Sequence, residues 1–199
     1  MNSMVTRRYI LSGIIAGVAS LTIPEQALAF SVGKAENLIG KVTSDINSII
    51  NSGQSESAML RDFDQIFVKY ADVNRISQLV LGADGRSASS AQKSAFAGAF
   101  QGYISRKYGK RFREFIGGRV EVNSSKAVKS FYEVKTTAIL KGEAPFEVVF
   151  VVADKSGRFI DMKIEGISLV KAERTEIGAM LDKRGGNLDR LISDLKKAG

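Results

Sequence analysis

The 199-residue chain contains no histidine and no cysteine. Their absence removes Ser-His and Cys-His nucleophile pairs, together with the usual ligands of zinc, haem and iron–sulfur centres. Reactive chemistry would have to come from carboxylates, or from a serine beside a lysine. Two places invite inspection. The stretch "IEGISLV" at 164–170 sets Ser168 inside an apolar step, and the strand-like segments further up hold the carboxylates Asp161 and Glu133. Alternation sends both carboxylates away from the apolar face. Ser168 has the position of a helix N-cap, its hydroxyl accepting a free backbone N–H, while Gly166 supplies the freedom for a corner. No catalytic residue, metal site or cofactor is therefore expected, and a binding role is favoured over an enzyme.

Helical periodicity runs through the first half. Val32, Ala35, Ile39, Val42, Ile46 and Ile49 recur in steps of three and four, and Leu60, Phe63, Phe67 and Tyr70 form a second stripe. A short third helix carries Val73, Ile76, Leu79 and Val80 and stops at Gly82; a fourth, capped by a serine within 87–90, carries Phe96, Phe100, Tyr103 and Ile104. The period then changes. "RVEVN", "FYEVKTTAIL", "PFEVVFVVAD" and "RFIDMKI" read as strands joined by hairpin-type connections, with Ile160, Met162 and Ile164 on one face. After Gly166 helical spacing returns through Ile177 and Leu181, and Asn187 caps a last helix. Helices, then an antiparallel curved sheet of about four strands, then helices again: this order predicts an α+β fold. Ile167, one place before the cap, is expected to staple against the first turn of its helix.

The first 29 residues have the make-up of an export signal. A basic start is followed by the 14-residue apolar stretch "ILSGIIAGVASLTI" and by "ALA" at 27–29. That stretch is short of the roughly 20 residues a bilayer span requires. "TRRYILS" also resembles a twin-arginine leader, so Sec and Tat export both stay open. Residues 1–29 are thus read as a cleaved signal peptide, residues 30–199 as a single domain, and the periplasm as its compartment. The leader holds Arg7, Arg8 and Glu25. Subtracting them from the chain's 29 basic and 21 acidic residues leaves 27 and 20, a net charge of +7. Such a surface suits anionic membranes or acidic proteins; an exported protein seldom meets nucleic acid.

"DMKIEGISLVKAERTEIGAML" followed by "GGNLDRLISDLKK" resembles the C-terminal pattern of the MlaC family, also called the toluene-tolerance family. Asp161, Glu165-Gly166-Ile167-Ser168-Leu169, Arg174, Gly186, Leu191, Ile192 and Leu195 carry the likeness. Upstream, "LVLG" at 79–82, "AQKSAFAGAF" at 91–100 and "YISRKYGKRF" at 103–112 extend it in the same order. Glu173 departs from the family's frequent tyrosine, and no tryptophan stands near residue 85.

The resemblance implies a periplasmic phospholipid carrier with an apolar pocket between helices and sheet. It also implies two partners, an outer-membrane lipoprotein–porin complex and an inner-membrane ABC transporter with its lipid-transfer subunit. Such a shuttle would maintain the lipid asymmetry of the outer membrane. The expected wall comprises Phe96, Phe100 and Tyr103 from the fourth helix, with Val134, Ala138, Val149, Val151, Ile160, Met162 and Ile164 from the sheet. Val149 and Val151 lie in a continuous apolar run, where the phase is open and the opposite face is the alternative. Arg106, Lys107, Lys110, Arg111 and Arg113 are expected to steer docking. The rival readings are a binding protein for another apolar ligand, such as a hopanoid or sterol-like lipid, a small enzyme using Asp161 with Glu133, and a structural protein with a solid core.

Overall fold

The computed structural model describes residues 30–109 and 114–199. Helices α1 (Val32–Ile50), α2 (Glu56–Tyr70), α3 (Val73–Leu81) and α4 (Ser90–Gly109) precede strands β1 (Arg119–Val128), β2 (Phe131–Ile139), β3 (Phe146–Ala153), β4 (Phe159–Ile164) and β5 (Ile167–Ser168). Helices α5 (Leu169–Asp182) and α6 (Leu188–Leu195) close the chain. The strands form one antiparallel meander in the order β1-β2-β3-β4-β5. The fold is α+β.

The helices start where side chains can take their free N–H groups. Ser31, Ser55, Asp72, Ser168 and Asn187 each accept from the backbone three residues on. At α4, Ser89 and Gln92 bond each other's backbone N–H reciprocally, which makes a capping box. The buried side of α1 holds Ala35, Ile39 and Val42. Asn47 fastens that helix to the sheet by accepting from Val120 N at 2.8 Å and donating to Val120 O at 3.0 Å.

The two faces of the sheet differ sharply. Val134 pairs with Phe150 and Thr136 with Val148, and all four are buried on the inner side. The Thr136 hydroxyl is satisfied there by the Val148 carbonyl at 2.8 Å. The outer side carries ion pairs, Lys163 to Glu133 at 2.6 Å and Lys135 to Glu147 at 2.8 Å. Val149 pairs with Lys135 and Lys163, and Val151 with Glu133 and Asp161, so both valines stand on the outer side. A register shift between Val151 and Val152 matches Val152 to Phe159 and Val151 to Asp161, leaving Ile160 as the extra residue of a bulge. The clean alternation expected from Ile160 to Ile164 is therefore broken at its first member. Phe159 shares a side with Met162 and Ile164.

The corner at 165–166 is tighter than expected. Glu165 (φ 48°) and Gly166 (φ 81°) both have positive φ, the signature of a two-residue type I′ hairpin. The chain thus pairs back on β4 through Ile164 and Ile167 before it leaves the sheet. Ser168 Oγ accepts from Lys171 N at 3.1 Å and donates to Asp161 Oδ2 at 2.6 Å; Asp161 Oδ1 accepts from Val170 N at 3.0 Å. Ile167 does not staple the helix, because the hairpin leaves it 66% exposed. Ser168→Ala should lower stability by about 1 kcal/mol, seen in thermal denaturation as a fall of about 2–4 °C.

Candidate functional site

Between the helical layer and the inner face of β3 and β4 lies a cavity of about 620 Å³, within the usual range for small-molecule sites. On the helical side Phe63 and Phe67 come from α2, Ile76 and Val80 from α3, Phe100 and Ile104 from α4. The sheet side contributes Phe146, Phe159, Met162 and Ile164, and α5 adds Leu169 and Val170. The wall is therefore apolar for most of its extent. Its aromatic groups lock one another: Phe67 and Phe159 meet at 6.2 Å, and Phe150 supports Phe159 edge-on at 5.6 Å. Glu114, Glu143, Glu165 and Ile167 line the cavity and are exposed, which marks where it meets solvent.

Of the ten residues expected in the wall, Phe100, Met162 and Ile164 line this cavity. The other seven stand outside its lining. Phe96 lies behind Phe100, stacked on it at 5.7 Å and fully buried. Tyr103 turns its hydroxyl to Glu176. Val134 and Ala138 are sealed in the core of the inner face, Ile160 occupies the bulge, and Val149 and Val151 are on the far side of the sheet. Sequence reasoning did not select Phe63, Phe67, Ile104, Phe146 or Phe159 for the wall. The α2 stripe and the α4 spacing of Phe100 and Ile104 were the available signals.

Polar groups interrupt the wall: Asp64 of α2 accepts from the Ser105 hydroxyl of α4 at 2.5 Å, and a larger cluster stands between α4 and α5. Tyr108, on α4, and Glu173, on α5, both line the cavity. Glu173 Oε1 accepts from Lys107 Nζ at 2.7 Å and from the Tyr108 hydroxyl at 2.5 Å. Lys107 also donates to Glu176 Oε2 at 2.5 Å, and the Tyr103 hydroxyl to Glu176 Oε1 at 2.7 Å. Burial opposes the Lys107 charge, but hydrogen bonds to Glu173, Glu176 and Tyr103 outweigh it and raise its pKa. Burial, aided by the bond to Glu176, pushes Tyr103 up to about 12. Burial and the bond to Glu173 also raise Tyr108. Lys107 foremost, then Tyr103, hold Glu176 below the ordinary glutamate value.

This cluster changes the reading of the basic segment. Lys107 is committed to internal ion pairs, and Arg106 donates to the carbonyls of Ala198 at 2.8 Å and Leu195 at 2.5 Å, tying α4 to the C-terminal end of the chain. Neither is a free docking cation. Lys110, Arg111 and Arg113 lie outside the described residues. The carboxylates weighed for catalysis are also separately engaged: Glu133 pairs with Lys163 and Lys126 on the outer side, whereas Asp161 holds the corner. Among the described residues no group of three or more acidic side chains is arranged to hold a metal ion, and no helix is long and apolar enough to cross a membrane.

A family model described as MlaC protein matches residues 40–197. Among solved structures, the chain is similar to one described as the phospholipid-binding protein from Ralstonia solanacearum in complex with a phospholipid. The two are 20% identical with a TM-score of 0.71, over 82% of this chain and 95% of that one. The shared feature is the fold.

Proposed function

The chain belongs to the MlaC family, and from that premise we propose that it binds a phospholipid in the cavity and carries it across an aqueous gap. The acyl tails lie among Phe63, Phe67, Phe100, Phe146 and Phe159, and the headgroup stays towards the exposed rim. The observation that carries this reading is the apolar hollow of about 620 Å³ between helices and sheet. The phospholipid held by the Ralstonia protein of the same fold supports it.

Energetics explain why a carrier needs no reactive group. Two acyl chains amount to about 30 methylenes, each worth roughly 0.8 kcal/mol on withdrawal from water. Free lipid is thereby excluded from the aqueous phase, whereas passage from bilayer to cavity exchanges one apolar surrounding for another. The protein lowers a barrier and leaves direction to its partners. On this reading residues 1–29 are removed during export, and residues 30–199 act in the periplasm as one domain. They shuttle lipid between an outer-membrane lipoprotein–porin complex and an inner-membrane ABC transporter.

Native mass spectrometry of protein purified without detergent, followed by solvent extraction, tests the reading. One diacyl lipid per chain is expected. Protein that stays empty after incubation with phospholipid vesicles would overturn it, and a polycyclic lipid in the extract would replace the ligand class. With Arg106 and Lys107 committed internally, steering falls to Lys110, Arg111 and Arg113. Reversing these three charges should slow lipid exchange with the membrane complexes several-fold at low ionic strength, with the difference shrinking as salt screens the encounter.

A further inference from the structure

Glu173 is an anomaly in an apolar wall. Its side chain is 3% exposed and lines the cavity, yet only Oε1 is occupied, by Lys107 and Tyr108. Oε2 is buried and has no hydrogen-bond partner among the described residues. A buried acceptor left without a donor is costly, more so on a carboxylate, and it persists where something else completes it. The charge count points the same way. Among the described residues Lys107 serves both Glu173 and Glu176, one cation for two carboxylates. The cluster also reaches outward, since Glu176 is 49% exposed. Glu173 lines the same cavity as the exposed rim residues Glu165 and Ile167 and stands about one turn into α5, a helix that starts two residues after Ile167, which puts it within reach of a headgroup held at that rim.

We propose that Glu173 is a specificity-determining residue, its Oε2 accepting a hydrogen bond from a protonated amine on the headgroup of the bound lipid. Among the described residues the cluster holds one cation, and an ammonium supplies both the N–H donor that Oε2 lacks there and a second positive charge. A trimethylated headgroup has the charge without the donor. A glycerol headgroup has an O–H donor but lies on an anionic phosphate with no compensating cation. This inference rests on the carrier reading and adds a headgroup class to it.

The test is competitive loading from vesicles of equimolar phosphatidylethanolamine, phosphatidylcholine and phosphatidylglycerol with identical acyl chains, read by native mass spectrometry. The full-length processed protein is expected to take the ethanolamine lipid about tenfold over the choline lipid, the scale of one charge-assisted hydrogen bond away from bulk water. Glu173→Gln keeps an oxygen for Lys107 and Tyr108 but replaces the free acceptor with an N–H donor, and should bring the ratio to near one. Glu173→Leu should do the same by deleting the acceptor. A wild-type ratio near one overturns the proposal, as does a ratio that both folded variants retain. Equal enrichment of the glycerol lipid overturns the requirement for a cation. If no lipid of any headgroup enters the wild-type protein, the carrier reading itself fails, which is a separate result.

Discussion

The double variant Ile104→Trp/Ile164→Trp should fold and lose at least about tenfold in bound lipid. Ile104 comes from α4 and Ile164 from β4, so the substitutions advance from the helical and the sheet sides of the same cavity. Both side chains are only partly buried. An indole at either position can extend into the hollow without displacing packed neighbours, which is the condition under which enlargement escapes the roughly 1–3 kcal/mol cost of overpacking a full core. Volume for the tails is what disappears. Lipid stoichiometry by native mass spectrometry and folding by circular dichroism separate the two effects. Val151→Ala on the outer face is the control, expected to leave uptake unchanged because Val151 does not line the cavity. Full lipid occupancy in the double tryptophan variant would mean that tails lie somewhere else.

Lys107→Met should cost about 3 kcal/mol. The substitution leaves the buried Glu173 carboxylate with the Tyr108 hydroxyl as its remaining donor among the described residues, in a wall that solvates charge poorly. Removing one member of a buried ion pair typically costs about 3–5 kcal/mol, and Lys107, 27% exposed, belongs at the low end. In a domain of this size the melting temperature should fall by about 6–12 °C. The informative comparison is Lys107→Met/Glu173→Leu. With both charges gone nothing buried is left uncompensated, and much of the lost stability should return. A single variant as stable as the parent would show that the pair does not hold α4 to α5.

Much of the chain could be read without coordinates, for a physical reason. A helix cap or an amphipathic stripe is decided within one or two turns, so Ser168 and Asn187 as caps, the buried side of α1 and the stop at Gly82 all follow from neighbouring residues. The absence of His and Cys, and the ordered likeness to the MlaC family, are likewise properties of the string itself.

What tertiary structure decided is which side of each element does what. In the run "VVFVV" at 148–152 either phase is apolar. Pairing with Lys135 and Lys163 on one side, and with Val134 on the other, sends Val149 outward and Phe150 inward. One bulged residue, Ile160, then exchanges inner and outer positions and hands its expected place to Phe159. Arg106 and Lys107 look like surface cations until the carbonyls of Leu195 and Ala198, at and beyond the end of α6, and carboxylates from α5 arrive beside them. The cavity is furthest from the sequence, because a hollow is the space that elements leave between one another and no single residue encodes it. Local periodicity determines that Phe63, Phe100 and Phe146 turn away from water; only the spacing of helices and sheet determines that they face a gap and not each other.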